Sequence, residues 1–209
     1  GPTRDNIYTE TNLADSWPED GPELLWQFDS LGIGYSAVAV NSSGVYVTGM
    51  KSDRTGHLYA FNHDGSIKWT IPYGSEWHRG FPGTRSTPVI YEGLMYFESA
   101  QGVVFCIKPE NGEIVWSKDL MNDYGGVNIQ YGLSESILVD DDRVICTPGG
   151  SEHNLMALNR LTGEVIWTNS AKGEPPTYLT PSLIERNGSK FLVTMTSSSI
   201  MGIEFETGE

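Results

Sequence analysis

The heptapeptide "LTGEVIW" (161–167) has close relatives at "NGEIVW" (111–116) and "DGSIKW" (64–69), and "TGE" recurs at 207–209. Each is a glycine-bearing turn that leads into an apolar strand ending in tryptophan. Trp26, Trp69, Trp116 and Trp167 follow one another at intervals of 43, 47 and 51 residues. A repeat of this length marks one supersecondary unit copied along the chain, because a unit so small cannot bury its own apolar faces.

The order of events between tryptophans is constant. A strand of small residues comes first: "YSAVAV" (35–40), "RSTPVI" (85–90), "LSESILV" (133–139) and "LTPSLI" (179–184). A turn follows, then a second strand such as "VYVTG" or "MYFES", then a third such as "HLYAFN" or "LMALNR", and last the Gly turn and the Trp strand. Four short antiparallel strands per repeat predict an all-β propeller, with about four blades in this chain. The predicted blades are 25–69, 70–116, 117–167 and 168–209, after an extended lead-in over residues 1–24. A large indole at a fixed distance from a tight turn fills the wedge between blades. The glycine supplies the positive φ of a two-residue hairpin. The repeated turn is therefore architecture, not a cofactor platform.

The segment from Ala157 through Asn159, Thr162 and Gly163 to Trp167 resembles the tryptophan-docking repeat of the quinoprotein, or pyrroloquinoline-quinone (PQQ)-like, β-propellers. Ala60–Trp69 and Cys106–Trp116 resemble it more loosely, with Cys106 in the usual Ala slot. The resemblance spans residues 25–209, and residues 1–24 are similar to the lead-in of secreted members of that family. It implies a ring of seven or eight blades, so this chain is expected to be about half a ring. Its open faces would be covered by the remaining blades of a longer chain or by a second copy. An N-terminal segment of such propellers often lends a strand to the last blade.

Composition narrows the function. With 13 Lys and Arg against 27 Asp and Glu, the net charge is −14, which opposes nucleic acid and anionic lipid. Cys106 and Cys146 stand in apolar strands, without the spacing of a disulfide framework or a zinc site. No apolar run is long enough to span a membrane. Three consecutive carboxylates, Asp140–Asp142, read as a hairpin turn, because a calcium loop needs spaced ligands. His57, His63 and His153 lack ligand spacing.

Chemistry is expected in the loops that lead into each innermost strand, since these are long and unlike one another while the blades are regular. The candidate ligand- or partner-binding residues at the channel mouth are Trp77, His78, Arg79, Arg85, Asn128, Tyr131, Glu135 and Tyr178. Arg85 and Glu135 fall in nearly the same slot of neighbouring blades, where other blades carry small or apolar residues. Either they form a polar channel site or they pair as structural ions. No catalytic or metal-binding residue is identified. The resemblance offers a dehydrogenase binding PQQ with calcium as the alternative, but the vicinal cysteines of that site are missing here. The expected function is a non-catalytic binding or scaffolding module for an unknown protein or small molecule, without a cofactor. Its expected location is periplasmic or secreted, with a lipid anchor as one form.

Overall fold

The computed structural model describes residues 11–209, so the predicted lead-in is covered only from residue 11. Four antiparallel meanders follow one another. The first holds β1 (Ala39–Asn41), β2 (Gly44–Met50), β3 (Thr55–Phe61) and β4 (Ile67–Ser75). The second holds β5 (Val89–Tyr91), β6 (Leu94–Glu98), β7 (Val103–Ile107) and β8 (Ile114–Asp119). The third holds β9 (Leu138–Asp140), β10 (Arg143–Cys146), β11 (Leu155–Asn159) and β12 (Val165–Asn169). The fourth holds three strands: β13 (Ser182–Arg186), β14 (Ser189–Met195) and β15 (Ile200–Glu204). This is the propeller arrangement that the repeat predicts.

Burial explains why the strands read as they do. The middle strands β2, β6 and β7 are buried almost throughout, so they are near-continuous apolar runs and do not alternate. The outer strands β8 and β12 are largely exposed and bury their tryptophan. Each wedge between successive sheets is one apolar cluster. Tyr46, Leu58 and Tyr73 meet Met95, Phe97 and Phe105 between the first and second sheets. Tyr96, Val104 and Trp116 meet Ile137, Val144 and Met156 between the second and third. Ile145, Leu155 and Trp167 meet Leu192, Ile203 and Phe205 between the third and fourth.

The docking of the tryptophans corrects the predicted hairpin. The turn before β12 closes between Asn159 N–H and the Glu164 carbonyl at 2.7 Å, leaving four residues in the loop, with a bulge beside it. The wider loop presents its first carbonyl and its last glycine to the preceding blade. Trp116 donates its indole N–H to Arg160 O at 2.9 Å, while a Cβ on Gly163 would lie 2.9 Å from the same ring. Trp69 repeats this with Pro109 O and Gly112, and Trp167 with Phe205 O and Gly208. The glycine is thus needed twice, for a positive φ and for room. Gly163→Ala is expected to destabilise by at least about 1 kcal/mol more than Gly93→Ala, whose φ is also positive but whose Cβ would meet nothing. Equal losses in denaturant titrations of the two variants would show that the ring contact is immaterial.

Trp26 makes the same contact from outside the sheets. Its N–H reaches His63 O at 3.0 Å and its ring lies over Gly65, yet it belongs to none of the four sheets. With Phe28 and Leu31 it packs on Val45, Val47, Tyr59 and Phe61 of the first sheet. "ELLW" (23–26) matches "EIVW" (113–116) and "EVIW" (164–167), so this segment stands where the outer strand of a preceding blade would.

The innermost strands are shorter than predicted, beginning at Ala39, Val89, Leu138 and Ser182. The residues before them converge on neighbouring blades and bond across. Ala37 N–H donates to Thr87 Oγ1 at 2.9 Å, Thr87 N–H to Ser136 Oγ at 3.3 Å, and Ser136 N–H to Thr180 Oγ1 at 2.9 Å. This belt of hydroxyls is why these stretches are rich in Ser and Thr. Near the axis no bulky side chain would leave the blades close enough.

Candidate functional site

Strand register identifies equivalent positions around the channel. Ala39, Val89, Leu138 and Ser182 oppose Tyr46, Tyr96, Ile145 and Val193 on the second strands. Four residues before each lies one slot: Tyr35, Arg85, Ser134 and Tyr178. Together with Phe81 and Tyr131 these four side chains line a cavity of about 280 Å³. The next slot holds Ser36, Ser86, Glu135 and Leu179, and the first three bond back to the second strands or to the residue after them. Thr48 Oγ1 donates to Ser36 Oγ, Glu98 N–H to Ser86 Oγ, and Thr147 N–H and Oγ1 to the two oxygens of Glu135.

Arg85 and Glu135 are therefore not partners. They occupy successive slots, which turn opposite ways, and no ion pair joins them among the described residues. Arg85 lies over the Tyr35 ring at 5.2 Å and donates from Nη2 to Phe81 O. Glu135 is buried in the channel wall. Burial lifts its carboxyl to about 7 against the two hydrogen bonds from Thr147.

The loop aromatics continue the cavity wall. Phe81 meets Tyr131 edge-on at 5.7 Å, and Tyr131 meets Tyr178 at 6.1 Å. The Tyr131 N–H donates to Tyr178 Oη at 3.2 Å, tying the third blade's loop to the fourth blade. Phe81 adopts a φ of +55° and is 65% exposed.

The other predicted residues gather in a second hollow. Trp77, His78, Arg79 and Asn128 line a cleft of about 400 Å³ with Gln101, Ile129 and Gln130. Trp77 is buried and donates to Gly80 O, so it shapes the loop and is no stacking surface. Arg79 lies 6.0 Å over its ring. Asn128 donates to Ala100 O at 2.9 Å, and its buried Oδ1 has no partner. The predicted site thus divides into an aromatic cavity, a polar cleft and one buried wall carboxylate.

Sequence reasoning missed what holds these loops. Glu76 is fully buried and accepts from Tyr73 Oη at 2.7 Å and from the N–H groups of Trp77 and Ala100 at 3.1 Å each. It fastens the 76–85 loop to the turn between β6 and β7. Burial raises its carboxyl, and these bonds oppose the rise. The signal is an acid between Tyr73 and Trp77 that is the only carboxylate between Asp64 and Glu92.

Comparison with known proteins agrees with the fold. The profile of the family described as outer membrane protein assembly factor BamB matches residues 54–209. Outer membrane protein assembly factor BamB of Kangiella koreensis is 30% identical over 138 residues, covering 64% of this chain and 31% of that protein. The crystal structure of BamB from Moraxella catarrhalis superposes with a TM-score of 0.59 at 18% identity, over 88% of this chain and 51% of that one. Quinohemoprotein alcohol dehydrogenase ADHIIG from Pseudomonas putida HK5 gives 0.62 at 16% identity, over 90% and 37%. The chain spans about a third of its curated relative's length and about half of the solved BamB.

Proposed function

The chain belongs to the PQQ-like β-propeller family described as outer membrane protein assembly factor BamB, and we propose that it is a non-catalytic module that binds a protein partner at its channel mouth. The observation that carries this reading is the contrast between regular blades and the 76–85 and 121–135 loops. Those loops place exposed Phe81 and Arg79 and half-buried Tyr131 around two hollows on a rigid support. Aromatic and arginine side chains of this kind dominate the energetics of protein interfaces. The family description points to envelope assembly, so we place the protein in the periplasm or outside the cell, a lipid anchor being one form. No helix among the described residues is long and apolar enough to cross a membrane.

The alternative, PQQ with calcium, fits these residues poorly. The aromatic cavity offers one guanidinium and no acid, which is the wrong donor set for calcium and too little cation for a polyanionic quinone. Cys106 and Cys146 are packed in the apolar wedge between the second and third blades, not side by side at the channel.

Site-directed photo-crosslinking in the native envelope tests the reading. A photo-reactive side chain at position 78 or 81 is expected to capture one discrete partner, and the same group at Asn187, on the exposed β13–β14 turn, none. Equal capture at all three positions, or none at the mouth, would refute it.

A further inference from the structure

We infer that the aromatic cavity takes a carboxylate carried beside a single apolar ring, the ring lying among Phe81, Tyr131 and Tyr178 and the carboxylate meeting Arg85. This rests on the reading of the channel mouth as the binding surface and names the chemistry bound there. The cavity of about 280 Å³ lies at the small end of ligand pockets, room for one ring system and not for a larger ligand. Its walls are almost wholly aromatic, and rings at these separations and tilts accept another ring edge-on or offset.

Among the described residues, Arg85 is the one charged side chain lining the cavity. It has no carboxylate partner, and its Nε has no hydrogen-bond partner, among the described residues. One face of the guanidinium is covered by Tyr35 and Nη2 is held by Phe81 O, which fixes the fork in place. A fixed guanidinium that forms no ion pair, although the Glu76 carboxyl feels its charge, suits a planar carboxylate against aromatic walls, and the Ser134 hydroxyl lines the same cavity. In a chain of net charge −14, the described residues lining this cavity include a cation and no acid. Phe81 supplies an independent sign. A bulky residue held at positive φ and left exposed costs energy that the fold alone gives no reason to spend, and such strain gathers at ligand sites.

Two sources carry this chemistry: a free aromatic acid, or a protein segment with Asp or Glu next to an aromatic side chain. Chemical-shift titration of the full chain with 3-phenylpropionate, 3-phenylpropanamide, propionate and the blocked dipeptide N-acetyl-Phe-Glu-amide separates them. We expect 3-phenylpropionate to bind about tenfold more tightly than its amide, the worth of a hydrogen bond to a charged group, and propionate not to bind. Shifts should centre on Tyr131, Tyr178 and Arg85. Binding of the dipeptide as well identifies a protein segment as the source, and binding of the free acid alone identifies a small molecule. Arg85→Gln should bring the acid down to the level of the amide, and Arg85→Lys should keep part of the difference. Should Arg85→Gln fail to fold, the contrast between acid and amide on the unmodified protein still decides. Equal binding of acid and amide overturns the role of Arg85 while leaving the mouth a binding surface. No shift at those residues with either ring compound overturns the inference altogether.

Discussion

Trp116→Ala is expected to destabilise the protein by roughly 3–5 kcal/mol, the range for truncating a large aromatic in a core. The indole is 8% exposed and lies in the cluster that joins the second and third blades, beside Tyr96, Val144 and Met156. Its loss removes the buried area, the bond to Arg160 O and the filling over Gly163 together. In a stacked array each interface joins only two neighbours, so the transition should also broaden as the halves uncouple. Trp116→Phe keeps most of the ring and forfeits the N–H, while Arg160 O keeps the bond from Tyr96 Oη at 3.2 Å, so the cost should be only that of one hydrogen bond, about 0.5–1.5 kcal/mol. Trp26 is only half-buried, and its truncation should cost less than that of Trp116. A melting temperature unchanged by Trp116→Ala would end the packing role.

The architecture was legible because two requirements coincide at each repeat. A loop that must turn at positive φ and also accept a neighbouring indole leaves glycine as the residue that serves both, and the tryptophan then recurs at a fixed offset. The loop's length was not legible. "TGE" reads as a two-residue hairpin, whereas the carbonyl that Trp116 needs is available only in the wider loop. The candidate site shows the same division. Loop composition singled out seven residues that do line the two hollows, because irregular insertions on regular blades stand out in sequence. It failed for Glu135, since "RSTPVI" and "LSESILV" had been matched by their small residues. Matching their ends instead, Val89-Ile90 to Leu138-Val139, puts Arg85 opposite Ser134 and leaves Glu135 facing the wall. Glu98 went unnoticed because a single acid at the end of "LMYFE" resembles the exposed terminus of a strand, and only the closing of the next blade buries it.

That burial gives the second large effect. Glu98 is 2% exposed and neither carboxylate oxygen has a partner. Glu135 faces it from the next blade, Glu76 lies near, and Cys146 shares the surroundings; no cation approaches Glu98. Burial first, and then the charges of Glu135 and Glu76, push the Glu98 carboxyl well above its ordinary range. Glu135 is raised to about 7, chiefly by burial. For acids lifted in this way the native state holds protons that the unfolded chain releases. Stability is therefore full below the ordinary glutamate range near 4.5 and declines as pH rises through the native values. The rise of Glu135 alone, from 4.5 to about 7, corresponds to roughly 3 kcal/mol at 1.36 kcal/mol per pKa unit. Glu98→Gln removes the most strongly lifted of these carboxyls, so the unfolded chain no longer gains by ionising it and the decline should flatten. The variant is expected to match the parent near pH 4.5 and to exceed it by on the order of 1–3 kcal/mol at pH 8, the scale on which an uncompensated buried polar group is penalised. Urea titrations at half-unit steps between these limits read the difference directly. Parallel curves for the two proteins across that window would show that folding does not lift the Glu98 carboxyl.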